Sequence, residues 1–295
     1  MAADEPFRYD VAFGNNLGLL TPEEQSRLRR ATVALPGMGG VGGAHLLTLT
    51  RLGIGRFVIA DGDRFEPKNF NRQTGATTQT VNRPKVEVMA EMARAINPEV
   101  SIRIVPQELH QGNLPEFLAN SHVVVDGLDF FRIDARRALF REAKRQGLHV
   151  ITCGPLGFSA ALLVFGPRGP SFDEFMAIDD RMDEQEQLLR FAVGLAPAGL
   201  HLPYVDRASV SLKDHRGPSS MIAINLCAAV AATEVLNVLL NRRPPLCVPR
   251  YAQFDPFRLR YRLGTLPGGN RHPLQRLKLW YVRRLLRNGG HARAG

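Results

Sequence analysis

The segment VALPGMGGVGGAHLLTLTRLGIGRFVIADGDRFEPKNFNRQ, residues 33–73, holds the densest set of residue types able to do chemistry in this chain. Gly37, Gly39, Gly40 and Gly42 make a glycine turn between an apolar strand and an apolar helix. Glycines there let the backbone pass close to a nucleotide and aim helix N-terminal amides at phosphate. Asp61 ends the next apolar run, about 20 positions on, where a carboxylate can take both hydroxyls of a ribose. That much suits NAD, FAD, ATP or S-adenosylmethionine equally. The polar residues after it are more selective: Asp63, Asn69, Arg72 and Gln73, then Lys85. A dehydrogenase has no need of this set after its second strand. Two fixed cations, Arg72 and Lys85, suit the charge that builds on ATP during attack at the α-phosphate. Asn69 and Gln73 can donate to phosphate or orient Arg72. Asp129 comes just after a short apolar strand, the place where open α/β sheets bind ligands, and can hold Mg2+ through oxygen. Asp126, in the same DGLD turn, competes for that role.

These side chains need a frame. Thr21, Pro22 and Glu24 have the spacing of a capped helix start, before a first strand at 32–35. A second strand is expected at 57–60. Residues 85–96 have helical spacing and stop at Asn97-Pro98. Strands at 101–105, 123–125, 149–153 and 160–165 alternate with helices at 113–119 and 133–146. This order predicts an α/β fold: a Rossmann-like, doubly wound, mostly parallel sheet with helices on both faces. Residues 167–219 break the rhythm with Gly, Pro and acidic clusters and read as a long crossover loop. Residues 221–240 are apolar and long enough to span a membrane. Asn225, Thr233, Glu234 and Asn237 interrupt them, so a buried helix at a dimer interface is the better reading. The expected organisation is an N-terminal arm and helix (1–31), a nucleotide-binding core (32–166), the crossover loop (167–219), the rest of the core (220–262) and a basic tail (263–295).

The net charge of +10 is uneven. Ten of the 38 lysines and arginines lie in 256–295, where no Asp or Glu occurs. The other 28 are matched by 28 acidic residues, so the basic excess belongs to the tail. The tail segment RHPLQRLKLWYVRRLLR reads as an amphipathic basic helix. It would pack on its own domain, dock on an acidic partner or a membrane surface, or contact tRNA. Three scattered cysteines, Cys153, Cys227 and Cys247, form no CxxC pair, which argues against a disulfide framework and a cysteine zinc site. With an acidic start that lacks an apolar stretch, a cytoplasmic setting is expected.

GMGGVG, DGDRFEPKNFNRQ, RPKVE, INPEV and DGLD occur in order and at fitting separations. Together they resemble the signatures of the ThiF/MoeB/HesA superfamily, the adenylating core shared with ubiquitin-activating enzymes. The resemblance covers residues 7–165 well and 220–262 loosely. It implies binding of MgATP and adenylation of the C-terminal carboxylate of a ubiquitin-like carrier protein or peptide, with release of pyrophosphate. By motif position, Gly37, Gly39, Gly40 and Gly42 line the nucleotide, and Asp61 and Asp63 hold the ribose and nearby groups. Asn69, Arg72, Gln73 and Lys85 fall on the phosphate positions, and Asp129 on the Mg2+ ligand. The family is usually homodimeric, with an N-terminal arginine reaching the partner's phosphates; Arg8 is the candidate.

The departures from the family pattern carry expectations too. Zinc-binding CxxC pairs are absent, and residues 154–226 hold no cysteine to take a thioester. Cys227 is expected in the core, Cys153 buried near the nucleotide, and Cys247 exposed. The activated acyl group would then pass to an external nucleophile. The alternatives are a tRNA threonylcarbamoyladenosine dehydratase on the same core, an NAD-binding oxidoreductase, or a non-catalytic nucleotide-binding scaffold.

Overall fold

A computed structural model describes residues 6–289; Arg293 and the rest of the tail end lie outside the described residues, as do the side chains of Leu285 and Arg287. Eight strands form one sheet: β1 (Thr32–Pro36), β2 (Arg56–Ala60), β3 (Ser101–Val105), β4 (Val123–Asp126), β5 (Val150–Leu156), β6 (Ser159–Phe165), β7 (Arg250–Asp255) and β8 (Arg260–Thr265). Their order is β3-β2-β1-β4-β5-β6-β7-β8. The first five run parallel, and β6 to β8 add an antiparallel wing. The chain reverses direction across the sheet between β1 and β4, which opens a crevice at their carboxyl ends.

Period-two alternation divides the core. Val33, Leu35, Phe57, Ile59, Val123 and Val125 face one layer, while Ala34, Val58 and Val124 face the other. The helices are α1 (Tyr9–Ala12), α2 (Pro22–Arg30), α3 (Gly40–Arg51), α4 (Lys85–Ile96), α5 (Leu114–Leu118), α6 (Ile133–Arg145), α7 (Phe172–Met176), α8 (Glu184–Leu195), α9 (Met221–Leu240) and α10 (Pro273–Gly289). Residues of α3, α4 and α9 fill the first layer; those of α5, α6, α7 and α8 fill the second. The Thr21–Glu24 capping box is formed at the start of α2.

Residues 167–219, expected as a crossover loop, carry α7 and α8 in their first half. Phe172, Phe175, Met176, Leu188, Phe191 and Leu195 are buried in the second layer. The acidic residues that suggested a loop are helix starts: Ser171 and Glu174 form a capping box, and Asp183 accepts from the Glu186 amide. Negative charge favours the first turn of a helix, so an acidic cluster and an amphipathic helix are compatible. Residues 196–219 hold a short 3-10 turn, Arg207–Ser209, and an antiparallel bridge between Ser211 and Arg216.

Helix α9 is long and apolar enough to cross a membrane, and half of that stretch is buried inside the fold. It packs on α3 and across β5 and β6. Glu234, the residue that argued against a membrane span, is buried here, paired with Arg243 and accepting from the Leu246 amide (3.3 Å).

A buried histidine and a half-buried one set an acid limit. Burial pushes the imidazoles of His45, in α3, and His201, in the 196–219 segment, down from 6.5 to about 4. Below their ordinary range the unfolded chain takes up more protons than the folded one. Their stabilising contribution is present above pH 6.5 and lost as pH falls toward 4. The urea midpoint is expected to drop across that window, with a shallower drop in His201→Asn. A variant profile parallel to the wild type would show that His201 takes up its proton alike in the folded and unfolded states.

Candidate functional site

The glycine turn sits in the crevice between β1 and β4, and its geometry requires glycine at two places. Gly37 has φ +87°, and a Cβ there would lie 2.3 Å from the Gly127 carbonyl oxygen. A Cβ on Gly42 would lie 1.8 Å from the Gly37 carbonyl oxygen. The turn and the Gly127 segment after β4 therefore meet backbone to backbone, with Gly127 N–H donating to Pro36 O (3.0 Å). Gly39 and Gly40 start α3, with the Gln73 side chain and the Arg72 carbonyl against them.

Asp61, at the end of β2, holds this turn. The Met38 amide donates to its Oδ2 (2.7 Å) and the Asp63 amide to its Oδ1 (2.8 Å). Burial raises its carboxyl above the usual range, opposed by the Lys85 ammonium and these two amides. Lys85 begins α4 and is buried, with Nζ donating to Asp63 Oδ2 (2.8 Å). An ammonium has three donors, so this pairing leaves capacity for a phosphate.

Asn69 serves the turn that carries Arg72. It is buried, and its Oδ1 accepts from the Glu66 amide (2.9 Å), so the side chain caps a turn. Its carbonyl accepts from the amides of Arg72 and Gln73, which sets the direction of both. Arg72 Nη1 donates to Lys68 O (2.9 Å) and Asn71 Oδ1 (3.0 Å). Gln73 is buried beside Gly39, and its Oε1 has no hydrogen-bond partner. A buried acceptor without a partner is costly; the same side chain turns its Nε2 toward Gly39, where it can donate to a ligand at the turn. Asn71 Nδ2 reaches Ser219 O (3.1 Å), so the chain just before α9 closes one side of the site.

Asp126 and Asp129 separate cleanly. Asp126 is buried and fully engaged: Oδ1 accepts from Leu128 N, and Oδ2 from Arg136 Nε and Thr152 Oγ1 (2.9 Å each). Burial and the Arg136 ion pair shield it from a metal in the crevice. Asp129 is exposed, with Oδ1 accepting from the Phe131 amide (2.9 Å). Sequence reasoning missed Arg136. From α6 it also donates to the carbonyls of Leu128 (2.7 Å), Asp129 (3.1 Å) and Phe130 (3.2 Å), and so fixes the loop that presents Asp129. Five arginines between residues 132 and 145 gave no local sign that Arg136 is the one that reaches Asp126.

Arg8 pairs with Asp10 on the surface, and its neighbour Tyr9 bonds Gly53 O, beyond the far end of α3. It is not brought to this chain's own glycine turn. Cys153 and Cys227 are both buried, and burial together with the Cys153 thiol pushes the Cys227 thiol well up. Cys247, expected to be exposed, is half-buried, and burial raises its thiol as well. A protonated, shielded thiol is a poor nucleophile.

Residues 13–276 match the family model described as the ThiF family. The chain belongs to the ThiF family. A tRNA threonylcarbamoyladenosine dehydratase of Haemophilus influenzae is 34% identical over 150 residues, covering 50% of this ThiF-family chain and 57% of that protein. A sulfur carrier protein adenylyltransferase of Thermus thermophilus is 39% identical over 110 residues, 37% of this chain and 41% of that one. The chain thus matches about half the length of these curated relatives. A crystal structure of E. coli MccB with succinimide shares the fold, with a TM-score of 0.67 at 18% identity, covering 90% of this chain and 74% of that one.

Proposed function

We propose that this ThiF-family chain uses ATP and Mg2+ to adenylate a carboxylate, releasing pyrophosphate. What supports the reading is that three segments meet one glycine turn: the Arg72 carbonyl lies against Gly40, Lys85 pairs with Asp63 beside Asp61, and the Gly127 segment that leads to Asp129 packs on Gly37. A hydride-transfer site has no use for that set.

The substrate carboxylate attacks the α-phosphorus. An oxygen–phosphorus bond forms, the bond to the bridging oxygen breaks, and pyrophosphate leaves with the electron pair. No general base is needed, because a carboxylate is ionised at neutral pH. Asp61 holds the turn and faces the ribose. Arg72 and Lys85 meet the charge that grows on the phosphates, and held rigidly they cost little reorganisation. Asp129 fits a Mg2+ ligand, being exposed with Oδ2 uncommitted among the described residues; Mg2+ commonly takes one or two carboxylates and completes its shell with phosphates and water. Bound there, the ion would offset phosphate charge.

The substrate we favour is the C-terminus of a ubiquitin-like carrier protein or peptide, with transfer to an external nucleophile because the cysteines are shielded. The protein would act as a homodimer, with Arg8 serving the neighbouring copy. The dehydratase reading keeps the same first step on a tRNA-borne carboxylate. The 34% identity to the Haemophilus influenzae dehydratase favours it specifically.

ATP–pyrophosphate exchange tests these readings. Exchange that requires a carrier C-terminus supports the first, and exchange that requires modified tRNA supports the second. ATP binding without exchange on either would leave a scaffold. No ATP binding would end the adenylation reading altogether.

A further inference from the structure

Helix α10 has two faces, and only one is used by the fold. On the inner face Leu279 is buried, Gln275 Nε2 donates to Val193 O (3.0 Å), Lys278 Nζ reaches Pro197 O, and Arg283 pairs with Glu186. The polar anchors span more than two turns, and their partners Glu186, Val193 and Pro197 lie on α8 or just past its end. Helix α10 therefore lies lengthwise along α8 and turns the side that bears Leu274, Leu277, Trp280 and Tyr281 outward.

On that side Leu274, Leu277, Trp280 and Tyr281 are 62%, 60%, 54% and 48% exposed. Helical spacing gathers them on one face with Arg276 and Arg284. The Arg284 guanidinium stands 5.7 Å from the centre of the Trp280 ring. Residues 256–295 contain no acidic side chain to neutralise these cations. The family match ends at residue 276, so most of α10 lies outside what the family shares.

We propose that the outward face of α10 docks this protein on an anionic lipid bilayer. The mixture of side chains selects that occupant. A nucleic acid would neutralise Arg276 and Arg284 but leave Leu274 and Leu277 in water. A protein groove would ask for cations at the rim and apolar groups at the centre, whereas here they are interleaved. A bilayer boundary takes both together. Leucines sink among the acyl chains, Trp and Tyr rings sit at headgroup depth, and arginines reach lipid phosphates. A helix lying flat on a rigid body presents that face to a planar surface along its length. This inference does not rest on the proposed adenylation.

Trp280 is the only tryptophan in the chain, so the emission of the intact protein reports on this face. Vesicles of phosphatidylcholine containing phosphatidylglycerol are expected to shift that emission to the blue and to carry the protein down on sedimentation, less so as salt rises. Pure phosphatidylcholine vesicles should do neither. Arg276→Gln with Arg284→Gln should weaken binding by on the order of tenfold or more. Leu274→Gln with Leu277→Gln should weaken it too and abolish the blue shift. All four positions are exposed, so both variants should melt like the wild type. Absence of binding to anionic vesicles at low salt would overturn the proposal. So would equal binding by the leucine variant, or a response to tRNA or an acidic protein alone.

Discussion

Asp129→Asn, Arg72→Ala and Lys85→Met should each lower substrate-dependent ATP–pyrophosphate exchange by on the order of 100- to 1,000-fold, the range seen when one fixed group that meets transition-state charge is removed. The three should differ in how they fail. Asp129 is exposed, and among the described residues its side chain accepts only from the Phe131 amide. Its variant should melt like the wild type and demand more Mg2+. Among the described residues the Arg72 side chain hydrogen-bonds only Lys68 and Asn71, so its loss should weaken exchange at any Mg2+ concentration. Lys85 is buried, but its partner Asp63 is exposed, and water can solvate that carboxylate when the ammonium is gone. Its stability loss should be small beside its kinetic loss. Wild-type exchange in all three variants would show that the chemistry lies elsewhere on the molecule.

The second large effect belongs to Arg136, which touches no substrate. Arg136→Met strands Asp126 as a buried carboxylate and releases three carbonyls of the Asp129 loop. Breaking one half of a buried pair costs about 3–5 kcal/mol. A marked fall in melting temperature should accompany loss of exchange. Stability alone does not separate packing from positioning, but a double variant does. Asp126→Leu with Arg136→Met removes both charges, and apolar replacement of a buried pair is often neutral or stabilising. Its melting temperature should recover while exchange stays low and its Mg2+ requirement stays high, because nothing then holds Leu128, Asp129 and Phe130. A double variant as active as the wild type would reduce Arg136 to a packing residue.

Features legible along the chain were local ones. The glycine turn, the Thr21–Glu24 capping box, and the bounds of α4 at Lys85–Ile96 and α9 at Met221–Leu240 all depend on neighbours within a turn or two. The doubly wound sheet came from their order, since a parallel strand pair requires a crossover helix. Tertiary packing settled which groups are open to solvent and which are consumed. DGLD offers two equivalent aspartates until Arg136 and Thr152 arrive from other elements and take Asp126 out of reach. Asn69 could donate to phosphate or orient Arg72 by its sequence, and the fold shows its Oδ1 capping the turn that aims Arg72. Acidic residues near 180 hid α8, because its burial is set by a sheet face built from residues much earlier in the chain. The wall that Ser219 adds beside Asn71 joins positions 148 apart. Burial and long-range partnership are sums over such distant contacts, so periodicity and spacing along the chain carry no record of them.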